Sequence, residues 1–378
     1  MPSLPLTTPA LITRMAPLRA LAEKLAAEPL IAVDTESNSL HAYQERVCLI
    51  QFSIPSGDFL VDPLSLDTLA PLAPLFADPK YEKIFHAAEY DLICLKRDFD
   101  FTFTNLFDTM FAARILGRNK VGLGSILEEE FHVVLNKKYQ RADWGQRPLP
   151  SYLLAYAQLD THYLIPLRTR LREQLRQRNL WPLAEEDFNR LCHINGREPT
   201  PKEDLVWRIN GARDLTPEEV AVLNELCLYR DQMGNRLDRP VFKVMNDELL
   251  LVMAQRLPTD RNGLLRAGMT DRQLHRFGDG ALAAIARGLA SPPLYPPVHP
   301  RPDDEYLYRV EVLSDWRKMR ARALGVESDV VLPREHVNKI ARHNPTDDAS
   351  LLPLMEDIPW RYEQFGQQIL QSLARIKT

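Results

Sequence analysis

The alternation of apolar and polar positions changes character at about residue 200. Before that point short apolar runs at 30–35, 46–54, 58–62, 82–86 and 101–106 predict strands. Between and around them, apolar residues recurring at helical spacing predict helices over 15–27, 66–77, 88–97, 108–116, 122–131 and 149–179. Pro55-Ser56-Gly57 separates the second and third strands and reads as a hairpin turn. Three antiparallel strands followed by strands with helical crossovers predict an α/β domain, a mixed sheet flanked by helices. Beyond residue 200 the strand pattern fades and helical periodicity takes over.

That second half repeats itself. Tyr229-Arg230 corresponds to Trp316-Arg317 at an offset of 87, as do Val244 to Val331, Ala254 to Ala341 and Pro258 to Pro345. At an offset of 88, Phe277-Gly278 corresponds to Phe365-Gly366. Matches at nearly one spacing predict two copies of one all-α unit. Six prolines within 292–302 predict a stiff, extended linker between the copies, and Pro199 and Pro201 mark a similar break. The domains expected are 1–200, 211–291 and 303–378. Each helical copy is expected to form its own small core, so a cut near residue 198 should leave a folded first domain, provided the copies do not cover a large apolar face of it.

Composition narrows the class. With 45% hydrophobic and 26% charged residues, the chain reads as globular. No apolar stretch is long enough for a bilayer, and residues 1–10 lack the pattern of a signal peptide. Cys48, Cys94, Cys192 and Cys227 are scattered without metal-ligand spacing, which fits a reducing cytoplasm. Net charge is −4, so the chain as a whole is not a basic nucleic-acid binder. Positive charge is local: Arg168, Arg170, Arg172, Arg176 and Arg178 share one predicted helix, behind Lys137, Lys138, Arg141 and Arg147. Either a solvated helix face or phosphate contact accounts for such a run.

The chemistry concentrates in three blocks: Val33-Asp34-Thr35-Glu36, His86 through Leu92, and Tyr156 through Asp160. Asp34 and Glu36 are two apart at the end of the apolar run 30–33, so on a strand they share a face. Tyr156 and Asp160 are four apart and share a helix face. Asp91 falls in the first turn of a predicted helix, where the helix dipole also favours an acid. Gathered carboxylates repel each other, and a cluster of oxygen ligands is stabilised by hard cations such as Mg²⁺ or Mn²⁺. Two such ions about 3.5–4 Å apart suit in-line attack on a phosphodiester. His86 ends a strand and reads as structural, and Asp108 reads as a helix N-cap in preference to a metal ligand.

The three blocks resemble those of the DEDD exonucleases, in the subgroup whose last block is Tyr-x-x-x-Asp. Ala142-Asp143-Trp144 and Arg147-Pro148-Leu149 sharpen the resemblance toward the ribonuclease D family, and the helical repeat resembles the HRDC domain. The resemblance implies a ribonuclease-H-like exonuclease domain followed by two HRDC-like domains. It further implies metal-dependent 3′→5′ exoribonuclease activity that releases 5′-nucleotides, as in tRNA 3′-end processing. Asp34, Glu36, Asp91 and Asp160 would hold two divalent metal ions, with Tyr156 orienting the attacking water or helping to remove its proton; an ordinary phenol pKa of about 10 favours orientation. Tyr43, Phe52 and Trp144 are candidate stacking rings for RNA, and Arg141 a further substrate contact. A 3′→5′ exodeoxyribonuclease is the alternative on the same fold, and a non-catalytic RNA-binding protein a second. The expected partner is RNA with an accessible 3′ end, such as a tRNA precursor; nothing calls for a membrane or an obligate protein partner.

Overall fold

The computed structural model describes residues 6–196, 205–297 and 300–375. Six strands form one sheet: β1 (Ala10–Ile12), β2 (Leu30–Ser37), β3 (Val47–Ile54), β4 (Gly57–Val61), β5 (Glu82–Phe85) and β6 (Leu106–Asp108). Their spatial order is β1-β4-β3-β2-β5-β6. The β3–β4 hairpin is antiparallel with Ile54 opposite Gly57. Gly57 has φ +145°, a backbone region that residues with a side chain avoid. β2 runs parallel to β5, and β5 to β6. This is the mixed sheet the sequence predicts, with β1, parallel to β4, as an unforeseen edge strand.

Around the sheet lie α1 (Met15–Ala26), α2 (Ala73–Ala77), α3 (Glu89–Phe99), α4 (Thr109–Ile115), α5 (Leu123–Phe131), α6 (Ser151–His162), α7 (Leu164–Gln177) and α8 (Trp181–Cys192). The period-two pattern of β2 decides its packing. Ile31 and Val33 join one core with Leu18, Leu21 and Leu25 of α1 and Leu92 and Leu95 of α3. Ala32 faces the other way, into a core with α4, α7 and α8.

Three predicted elements differ. Residues 101–105 are not strand: Asn105 turns the chain at φ +46°, and Phe101 and Phe103 instead pack on Phe76 at 4.9 and 5.2 Å between ring centres. The helix expected over 66–77 is a 3-10 turn at Ala70–Leu72 followed by the short α2, because Pro71 and Pro74 withdraw backbone donors. The long helix expected over 149–179 is two, α6 and α7, with Pro166 unable to bond back across the junction at Tyr163.

The C-terminal half is helical and repeats element by element. The first copy comprises α9 (Pro217–Leu237), α10 (Val241–Val244), α11 (Asp247–Arg256), α12 (Arg261–Arg266) and α13 (Asp271–Ala290). The second comprises α14 (Asp304–Leu324), α15 (Ser328–Val331), α16 (Arg334–His343), α17 (Asp348–Leu351) and α18 (Pro359–Ala374). The copies also share an internal hydrogen bond. Arg230 donates to the Met245 carbonyl at 3.1 Å, and Arg317 donates to the Leu332 carbonyl at 2.9 Å, both at the offset of 87. Of the proline-rich linker, the described residues form neither helix nor strand, and the Leu294 N–H donates to the Pro217 carbonyl. Pro199 and Pro201 lie outside the described residues. No helix among the described residues is long and apolar enough to cross a membrane.

The chain divides into two compact units: residues 1–36, 47–196 and 301–378 form one, and 37–46 with 197–300 the other. The second copy therefore shares a unit with the sheet. Val330 is buried in the core of α4, α7 and α8, with Val326 and Trp360 packed against it. Arg361 is fully buried; it bonds Glu186 and Asp187 of α8 and the Val330 carbonyl. In the other unit, the loop after β2 is tied to the first copy. The Tyr43 hydroxyl donates to Asp231 at 2.6 Å and the Tyr43 N–H to Asp238 at 3.1 Å.

Candidate active site

Asp34 and Glu36 stand on the C-terminal part of β2, past the fully buried Ile31-Ala32-Val33 stretch. Asp91 is in the first turn of α3, and Tyr156 and Asp160 are on α6. These five residues line one cleft of about 490 Å³, together with His86, Tyr90, Leu123 and Gln140. Asp34, Glu36 and Asp160 bring carboxylate oxygens within 4.8 Å of one another. Asp91 adjoins them, its carboxylate accepting a hydrogen bond from the Thr35 hydroxyl.

Each support has a local cause. Asp108 caps α4, accepting from the Met110 and Phe111 N–H groups at 2.7 and 3.0 Å. It also accepts from the Ala88 N–H at 2.7 Å, at the start of α3. One buried carboxylate thus fixes the turn that presents Asp91, and Asp108 has the capping role expected of it. His86 bonds the Thr109 hydroxyl at 2.9 Å, and burial pushes its pKa down to about 4, in keeping with a structural, neutral imidazole. Opposite, α6 is bolted to the β3–β4 hairpin. The Asp58 carboxylate accepts from Gln158 and bonds His162 at 2.8 Å, and Ser53 meets Thr161 at 2.7 Å. With that face anchored, Tyr156 and Asp160 turn into the cleft.

The electrostatics are those of a site built for cations. Burial and the mutual repulsion of Asp91, Asp160 and Glu36 hold Asp34 well above the usual carboxylate range, and Glu36 is raised for the same reasons. Burial raises Asp91 to about 7, and burial with the Asp91 charge raises Asp160 to about 8. Tyr156 is pushed up by burial and then by Asp160, Glu36 and Asp34, so it stays a neutral phenol. All-oxygen donors with unrelieved negative charge fit one or more hard divalent cations, so the residues present suit the metal that their spacing implies.

The expected substrate contacts fare unevenly. Phe52 is 1% exposed and packed in the sheet core, and Trp144 is also 1% exposed. A ring with no face at the surface cannot stack on a base, which corrects both expectations. Trp144 instead packs against Tyr156, with 6.2 Å between ring centres. Its loop is stapled by Arg147, which donates to both oxygens of Asp62 and to the Cys48 and Trp144 carbonyls, each at 2.7 Å. Tyr43 is half-buried with its hydroxyl committed to Asp231. Arg141 is exposed at the end of a 3-10 turn, Lys137–Arg141. That turn also carries Gln140, whose side chain hydrogen-bonds Tyr156 and which sequence spacing did not single out. Tyr90, half-exposed beside Asp91, also lines the cleft and was not singled out by spacing. The arginine run on α7 is largely structural: Arg168 pairs with Glu82, Arg170 with Glu130, and Arg172 lies over Trp181.

Comparison with known proteins agrees with this arrangement. Residues 9–176 match the 3′-5′ exonuclease family, and residues 219–285 and 307–373 each match the HRDC domain. The chain is 35% identical to Protein RRP6-like 3 of Arabidopsis thaliana over 64% of its own length and 30% of that protein's. It is 29% identical to ribonuclease D of Acidiphilium cryptum over 98% of its own length and 94% of that protein's. The crystal structure of Escherichia coli RNase D, an exoribonuclease involved in structured RNA processing, superposes with a TM-score of 0.72 at 25% identity, covering 98% of this chain and 99% of that one. The chain spans less than half the length of the RRP6-like relatives it matches. Divalent metal ions are in general use among exonucleases of this type. With the exonuclease and HRDC matches in this order, the chain is similar almost end to end to ribonuclease D proteins.

Proposed function

We propose that the protein is a cytoplasmic, divalent-metal-dependent 3′→5′ exoribonuclease that releases 5′-nucleotides, with tRNA precursors as its natural substrates. The observation that carries this reading is the convergence of Asp34, Glu36, Asp91, Asp160 and Tyr156 in one cleft from three separated stretches of chain. The four carboxylates would hold two ions, Mg²⁺ or Mn²⁺, which when bound activate water and stabilise the leaving 3′ oxygen. The chain's own groups position the reactants. Thr35 fixes the Asp91 carboxylate, and the Trp144 and Gln140 side chains fix the Tyr156 ring. Tyr156, kept protonated by its surroundings, donates a hydrogen bond that orients the attacking water and leaves proton removal to other groups.

Arg141 and Tyr43 are retained as proposed RNA contacts, one to phosphate and one by ring face. The HRDC domains extend the RNA-binding surface and restrict which 3′ ends enter. The chain is organised as residues 1–200, 211–291 and 303–378 in this proposal. RNA as the substrate is supported by the ribonuclease D relatives, which match nearly the whole chain. The test is digestion of matched RNA and DNA oligonucleotides with EDTA, Mg²⁺ or Mn²⁺, with the products identified. Stepwise release of 5′-ribonucleotides only with metal is the expected result. Preferred digestion of DNA would replace this reading with the deoxyribonuclease, and RNA binding without hydrolysis would replace it with a binding protein.

A further inference from the structure

The two helical copies differ in the face formed by the loop after their first helix, the short second helix and the start of the last one. In the first copy this face is a small cleft of about 150 Å³ lined by Arg239, Lys243, Arg272 and Arg276, with Leu237 and Phe277 beneath. Arg272 and Arg276 are four apart on α13 and so share a side of the helix. At the repeat offsets of 87 and 88, the same positions in the second copy are Val326, Val330, Trp360 and Gln364. Three of those four are apolar and pack into the core shared with α4, α7 and α8. One face of a duplicated unit has thus become cement in one copy and a cluster of cations in the other.

The cations of the first copy are not there for internal pairing. Three other arginines of this copy have carboxylate partners: Arg230 with Asp247, Arg261 with Asp279, and Arg287 with Glu225. Among the described residues no carboxylate pairs with Arg239, Lys243, Arg272 or Arg276, and all four are exposed. The Lys243 ammonium lies 3.4 Å from the His41 ring nitrogen and 6.0 Å from the centre of the Phe242 ring, neither of them a counter-charge. Nearby Asp238 is engaged by the Tyr43 and Gln44 N–H groups. Like charges gathered without a counter-charge repel one another, a cost that an anion removes.

We propose that this face of the first helical copy binds the phosphodiester backbone of RNA, and that the corresponding face of the second copy does not. The proposal rests on the exoribonuclease reading for the identity of the anion. It divides the labour of that one face: in the first copy it holds substrate, and in the second it is part of the scaffold.

The experiment uses the full chain carrying Asp160→Asn to stop hydrolysis, and a fluorescent single-stranded oligoadenylate as the probe. Arg239→Gln, Lys243→Gln, Arg272→Gln and Arg276→Gln together should weaken binding at least about tenfold. They should also flatten the dependence of log K on log salt by roughly 0.7 for each phosphate that is no longer neutralised. Arg322→Gln with Arg334→Gln, exposed arginines elsewhere on the second copy, should change neither. Unchanged affinity and salt slope in the fourfold variant overturn the proposal, as does an equal loss in the control. Thermal melting, expected unchanged, excludes unfolding as the cause. The two readings fail separately. If the chain without Asp160→Asn leaves RNA intact with Mg²⁺ and Mn²⁺, while the fourfold variant still loses RNA affinity, the exonuclease reading falls and the binding face stands.

Discussion

Arg361 of α18, with no exposed surface, donates to the buried Glu186 of α8 and bonds both its neighbour Asp187 and the Val330 carbonyl. The Trp360 N–H adds a hydrogen bond to the same Glu186 at 2.6 Å. A buried charge is tolerated only with its partners, and removing one partner typically costs about 3–5 kcal/mol. Arg361→Met should therefore lower the melting temperature substantially by leaving two carboxylates in an apolar setting. Removing residues 301–378 should do at least as much, since it also uncovers the core around Val330. A fragment ending near residue 198 that melts like the full chain would show that this docking adds no stability.

Asp34→Ala and Asp160→Ala each remove a charge from a group of carboxylates proposed to hold metal. Turnover should fall at least roughly a thousandfold, equivalent to about 4 kcal/mol of transition-state stabilisation. The metal-free variants should melt no lower than the parent, because repulsion is relieved. Near-normal hydrolysis by Asp34→Ala in Mg²⁺ or Mn²⁺ would refute the ligand assignment.

Tyr156→Phe keeps the ring against Trp144 and deletes only the hydroxyl. A large drop in kcat is expected with RNA affinity unchanged. Normal turnover with weakened binding would make Tyr156 a substrate contact.

Arg147 reaches Asp62, which is 3% exposed, and holds the loop that carries Trp144. Arg147→Met should cost stability and lower kcat more than it raises KM, since Trp144 would no longer hold the Tyr156 ring in place. An effect on KM alone would place Arg147 at the RNA.

The metal-free protein should lose stability as pH rises. Asp91 and Asp160 titrate at about 7 and about 8 in the folded chain. An unfolded aspartate titrates near 3.9. Between those limits the folded state binds more protons than the unfolded one, so stability present below about pH 4 drains away up to about pH 8. Melting in EDTA should therefore be lower at pH 8 than at pH 5, with the deficit repaired by Mn²⁺ or Mg²⁺. A flat profile with no response to metal would argue against a cation site.

The strand run 30–33, the two-residue spacing of Asp34 and Glu36 and the four-residue spacing of Tyr156 and Asp160 were legible because short-range geometry alone dictates them. The helical repeat was legible for the same reason: duplicated elements keep their offsets, down to the Arg230 and Arg317 hydrogen bonds. What the residues could not disclose was the company each would keep across long sequence distances. Phe52 and Trp144 look like stacking rings until their burial is known, and the α7 arginines look like a phosphate track until Glu82 and Glu130 arrive opposite them. The unequal fates of the two helical copies belong to the same class. Val330 and Trp360 against Lys243 and Arg272 are plain differences in sequence, but only packing decides which face is covered. Local spacing is set by bond geometry within a few residues, whereas burial and charge pairing depend on which distant surfaces meet when the chain excludes water.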